Sequence, residues 1–173
     1  MQNLNKISKI FLYVCSLSGI LWFGGYLSRL LLTYQLFEPR DFILKNYVND
    51  QNLGGIFYTL NSSVTFTLIL YVVFLVSFVL FLSTSRIKLK EEGWLFVILL
   101  IVVITAPFEL YLMSLDYQIA NKVFYSSFVP KEILAIYIKR MKLLSSFPLI
   151  EIFSYCAILF LIIFKPLRMK KIK

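Results

Sequence analysis

Residues 93–112 read GWLFVILLIVVITAPFELYL. The first twelve are almost purely apolar and lack the alternation of a half-buried strand, and the apolar run as a whole, Trp94–Leu115, is long enough to cross about 30 Å of hydrocarbon. Only a helix satisfies all of its own backbone hydrogen bonds in lipid, so the stretch predicts a spanning helix. Pro107 and the carboxylate of Glu109 nevertheless arrive before the run is over. A proline removes one N–H and frees a carbonyl a turn earlier, near Val103, which the Thr105 hydroxyl or a neighbouring helix would satisfy. A carboxylate facing lipid costs several kcal/mol, so Glu109 should face a bundle interior and take a partner.

Three more runs of spanning length flank this one: about 10–34, about 58–82 and about 148–164. With about 94–115 they predict an all-α integral membrane protein, a single membrane domain over 1–173 built as a four-transmembrane-helix bundle. Composition agrees: 60% of the 173 residues are hydrophobic and 17% aromatic, with a mean hydropathy of +0.81. A soluble core does not absorb that much apolar surface. The first run follows Lys6 and Lys9 as a signal peptide would, but it is too long, and Trp22, Tyr26 and Arg29 make a poor cleavage site, so a retained helix is expected.

The connections carry charge unevenly. The N-terminus (Lys6, Lys9), the loop with Arg86, Lys88 and Lys90, and the tail with Lys165, Arg168, Lys170, Lys171 and Lys173 hold ten bases in about 28 residues. The other side holds seven in about 56: Arg40, Lys45, Lys122, Lys131, Lys139, Arg140 and Lys142. The denser side is expected in the cytoplasm, with both termini inside, in a bacterial cytoplasmic (inner) membrane. The net charge of +9 then reads as topology and attraction to anionic lipid at the cytoplasmic face, not as nucleic-acid binding, for which no soluble segment is large enough.

Of the two outer connections, the first is expected to hold a short helix after Pro39 that Gly54–Gly55 ends. The second, about 130–144, places Pro130 and Glu132 at a helix start and Lys139, Arg140 and Lys142 at its negative end. Ile133, Ile136, Tyr137, Met141 and Leu144 recur at spacings of three and four, the pattern of an outward-side amphipathic helix on the membrane surface or over the bundle mouth, serving as an anchor or as a lid.

Counting rise at ~1.5 Å per residue from the inner helix ends puts Glu109 about 24 Å up, Arg29 about 30 Å and Glu151 about 21 Å. Ser18, Trp22, Tyr26, Arg29 and Thr33 share one face of the first helix, Thr105, Glu109 and Asp116 one face of the third, Glu151 and Tyr155 one face of the fourth, and Asn61 and Thr65 one face of the second. Arg29, Glu109, Glu151, Asp116, Tyr26, Asn61 and Tyr155 are therefore the expected crown, with Arg29 paired to Glu109 or Glu151. The crown is either an ion pair that fixes helix register or a polar cavity in which two acids outnumber one arginine.

Little chemistry is available to such a site. There is no histidine, the usual general base and commonest zinc ligand, and no phosphate-binding glycine loop. Cys15 and Cys156 are expected to be buried apolar residues, and Gly24–Gly25 a place where another helix approaches closely. No cofactor, metal or catalytic residue is expected. The sequence reads first as a non-catalytic accessory, assembly or scaffold subunit of a membrane complex, with other membrane subunits or a second copy as partners. The alternative is a small transporter or a lipid- or solute-binding protein using the crown, and a third reading is a carboxylate-dependent enzyme acting on lipid.

Overall fold

A computed structural model describes residues 4–39, 42–125, 128–143 and 146–167. Arg40, Leu144 and the tail bases Arg168, Lys170, Lys171 and Lys173 lie outside them. The described chain is helical: α1 (Lys6–Gln35), α2 (Leu53–Ser85), α3 (Gly93–Phe124), α4 (Pro130–Lys142) and α5 (Phe147–Phe164). All but α4 are long and apolar enough to cross a membrane. The helices start and stop where local chemistry dictates. Asn5 caps α1 by accepting the Ser8 N–H at 2.6 Å, and α2 and α5 end on Arg86 and Lys165 in the left-handed conformation.

α1 and α2 form the most intimate pair, and Gly25 permits it. A Cβ at Gly25 would come within 2.9 Å of Thr67 Cγ2. Gly24 does the reverse, facing away with nothing near its Cβ position. α3 packs on α2 and α5, whereas α1 and α5 have few backbone approaches and meet through side chains, among them the rings of Trp22 and Phe23 against Tyr155.

α4 lies across one end of the bundle with Ile133, Tyr137 and Met141 buried at successive spacings of four. Tyr137 stacks on Phe57 of α2 with ring centroids 5.0 Å apart and 10° between planes. Of the two sequence-based placements, the end of the bundle is the observed one. α3 runs nine residues past the expected Leu115, so Asp116 is part of the helix body.

The first long connection departs from expectation. Among its described residues there is no helix after Pro39; instead Phe37 and Leu44 form an isolated antiparallel bridge, the Lys45 N–H donates to the Leu36 carbonyl at 3.0 Å, and Leu36, Phe37 and Val48 bury against Phe57 and Ile133. Apolar burial outweighs the local helix signal. Gly54 and Gly55 accordingly sit in the first turn of α2 and end no helix. α3 passes through Pro107 without a break, and the Thr105 hydroxyl donates to the Ile101 carbonyl at 2.9 Å, not toward Val103. Cys15 is buried as expected, but Cys156 is exposed on α5.

Candidate functional site: a buried charged crown beneath α4

Five ionisable side chains from four helices gather under α4. Arg29 of α1 donates through Nη1 to Asp116 Oδ2 at 2.8 Å and to Thr67 Oγ1 at 3.2 Å. Arg140 of α4 pairs through Nε with Asp116 Oδ1, also at 2.8 Å. One carboxylate thus holds two guanidiniums, all three nearly sealed from solvent, with side chains 5%, 2% and 9% exposed for Arg29, Asp116 and Arg140. The geometry corrects the expected pairing of Arg29 with Glu109 or Glu151. Its physical origin is the length of α3: Asp116 lies seven residues, about 10 Å, beyond Glu109 on the same face, and the long arginine side chain reaches up to it.

Burial alone would weaken the charged form of Arg140, but the carboxylates of Asp116 and Glu109 outweigh it and hold its pKa above the ordinary arginine value. The neighbouring Tyr137 hydroxyl is raised above the usual tyrosine range, chiefly by burial.

Glu109 and Glu151 are the other half of the crown. Both are buried, at 1% and 0% exposure, yet Glu109 Oε2 and both carboxyl oxygens of Glu151 lack a hydrogen-bond partner. Each lies within electrostatic range of the other, and Glu109 also feels Arg140 and Arg29. Tyr26, Tyr71 and Tyr155 all lie within electrostatic range of both acids, and their three hydroxyls are likewise buried without a partner. Glu151 stands close to Tyr26 and to Glu109, and Tyr71 close to Tyr155, but none of these pairs is in hydrogen-bonding geometry. The rings pack around Trp22, whose centroid is 5.4 Å from Tyr26, 4.8 Å from Tyr71 and 4.7 Å from Tyr155. Two positive charges face three carboxyl groups, so a fully ionised crown carries one uncompensated negative charge.

A small cleft opens beside Arg29, Thr33, Asp116, Tyr137 and Arg140, with a volume of about 20 Å³, enough for one water. Below the aromatic layer lies a separate apolar chamber of about 370 Å³, walled by α1, α2, α3 and α5. Among the described residues no group of three or more acidic or thiol side chains is arranged to hold a metal ion.

Six of the seven expected crown residues meet here. Asn61 is buried with its Oδ1 unpartnered, but among the described residues no hydrogen bond or ion pair ties it to the arginines. Thr67, Tyr71, Tyr137 and Arg140 are additional members. The signal for Arg140 was present: it follows Tyr137 by three positions and Met141 follows by four, so the basic residue shares the buried face of α4. No protein-family model matches the sequence, and neither does any curated protein or solved structure at a significant level. Function has to be argued from the site itself.

Proposed function

We propose that the chain is a four-span integral membrane protein, with both termini on the cytoplasmic face of a bacterial inner membrane, that binds a small monovalent cation beneath α4 and carries out no covalent chemistry. The observation behind this reading is the Glu109–Glu151 pair. Buried polar groups are almost always satisfied, and here two carboxyls and three tyrosine hydroxyls share one unsatisfied region inside an apolar bundle. One bound cation would neutralise the acid in excess and accept the orphaned oxygens as ligands. The rings of Trp22, Tyr26, Tyr71 and Tyr155 favour a bare ammonium ion over a hydrated metal ion, because aromatic faces attract such cations and the cleft beside Tyr26 and Arg29 has room for one water-sized group.

The test is thermal unfolding of the detergent-purified protein with tetramethylammonium, ammonium or sodium chloride. A ligand at 100 times its Kd stabilises the folded state by about 2.7 kcal/mol, so a rise in Tm is expected with ammonium and none with tetramethylammonium, which exceeds the one-water cleft. Glu151→Gln should abolish the rise. The reading fails if no cation shifts the wild type, or if the shift survives in a Glu109→Gln, Glu151→Gln double variant.

A second reading, an accessory or scaffold subunit of a membrane complex, draws on a different surface. Gly24 and Ser28 are exposed four residues apart on the side of α1 turned away from α2, a small-residue notch into which another helix fits. A stoichiometric partner that co-purifies in mild detergent and is lost from Gly24→Leu would establish it.

A further inference from the structure

The apolar chamber lies outside the crown, and its shape, depth and rim together specify an occupant. Leu12, Gly19 and Phe23 of α1 face Ile158 and Ile162 of α5 across it, with Phe78 among the residues that line it from α2. It opens where α1 and α5 stand apart, and Tyr155 bounds it toward the crown. Empty apolar space forfeits the contacts of every atom that lines it, so something apolar belongs there.

At ~30 Å³ per methylene-sized group, a volume of about 370 Å³ takes roughly a dozen such groups. From Tyr155 to Lys165 is ten residues of helix, about 15 Å, which is half the hydrocarbon thickness of a bilayer of about 30 Å. The chamber is one leaflet deep.

Its rim is cationic. Lys9 heads the same stripe of α1 as Leu12, Ser16, Gly19 and Phe23, at spacings of three, four, three and four. Lys165 follows Ile162 by three, and its ammonium lies 5.8 Å over the ring of Trp94, which itself lines the chamber. Lys6, Arg86, Lys88 and Lys90 surround this end. The acids there are Glu91, engaged by Lys88 at 3.4 Å, and Glu92, which accepts the Trp94 indole N–H.

We propose that the chamber seats one acyl chain of an anionic phospholipid whose phosphate is held at the rim by Lys9 and Lys165. The site requires the membrane placement proposed above but not the cation site at the crown.

The experiment is fluorescence quenching in nanodiscs, using a Trp22→Phe background so that Trp94 is the only tryptophan. Phosphatidylglycerol or phosphatidylcholine brominated along the acyl chain is the quencher. The anionic lipid should quench Trp94 at a lower mole fraction than the zwitterionic one. Neutralising both lysines, Lys9→Gln with Lys165→Gln, should reduce that preference roughly tenfold or more. Ser16→Phe, which fills the chamber from its open side, should remove the preferential quenching, whereas Leu17→Phe on the outer face of α1 should leave it. If Ser16→Phe does not fold, Leu159→Phe on the opposite wall gives the same reading. Equal quenching by the two lipids in the background protein, or preferential quenching that survives the filled chamber, overturns the lipid site while leaving the membrane placement intact. A chain that does not enter nanodiscs at all overturns both.

Discussion

The two ends of this bundle solve opposite problems with the same kind of helix. Beneath α4 the helices converge on charge: Arg29, Arg140 and Asp116 are cross-linked at 2.8 Å, and an extra helix covers them. Toward the chain termini the same helices turn mostly apolar side chains inward, with the uncharged hydroxyls of Ser8, Ser18, Ser77 and Ser85 among them, and α1 and α5 stand apart around a chamber of about 370 Å³. Directional, short-range interactions close one end. At the other end dispersion has no directional preference, so nothing forces closure and an apolar space remains. Tightness here follows polarity more than hydrophobicity.

That contrast is broken most severely at Asp116. Asp116→Asn leaves two buried guanidiniums without their counter-charge, and a loss of about 3–5 kcal/mol is expected on thermal unfolding in detergent. A fall below about 1 kcal/mol would mean that the charged end is not what holds α4 down. Next is Tyr137→Ala, which empties the site stacked on Phe57 and should cost about 3–5 kcal/mol by the same measurement, on the lower side because α4 is short enough to settle. Gly25→Ala pushes a methyl toward Thr67 and thereby displaces an acceptor of Arg29. The expected loss is about 1–3 kcal/mol, and Thr67→Ala in the same background should relieve part of it.

Smaller effects sharpen the contrast. Glu151→Gln keeps the shape of the crown and removes the acid in excess, so stability without added cation should change by less than about 1 kcal/mol while the response to ammonium disappears. A large loss instead would make Glu151 part of the structural cross-link. Least of all, Asp50→Asn breaks the exposed pair with Lys131, 3.0 Å long and about three-quarters exposed on both sides, and should change Tm by no more than a few tenths of a kcal/mol allows.

The span-length helices were legible because composition over twenty residues is a strong signal, and the crown's faces were legible because helical periodicity put Tyr26 with Arg29 and Glu109 with Asp116. What periodicity does not carry is the partner. Depth and helix face match Arg29 to Glu109 or Glu151, and neither says how far α3 continues or that a residue arrives from α4. Arg140 reads as a helix-end charge beside Lys139 and Lys142, although its register with Tyr137 marks the buried face. The first long connection was misread for the opposite reason. Pro39 is a local signal, and Leu36, Phe37 and Val48 answer to a tertiary one.

The Arg29–Asp116 contact also has a time attached to it. The two residues are 87 apart in the chain, and at a synthesis rate of ~5–20 residues per second the carboxylate is made roughly four to seventeen seconds after the guanidinium. Arg140 follows Asp116 at a further interval. In the membrane placement proposed above, α1 enters the bilayer with an arginine that has no counter-charge of its own, so the head stays at the interface, by snorkelling or by holding α1 shallow, until α3 is in place. On that placement the cross-link that closes the finished bundle also sets an order of events: α1 reaches its final depth when α3 arrives, and α4, whose Arg140 is made last, docks afterwards.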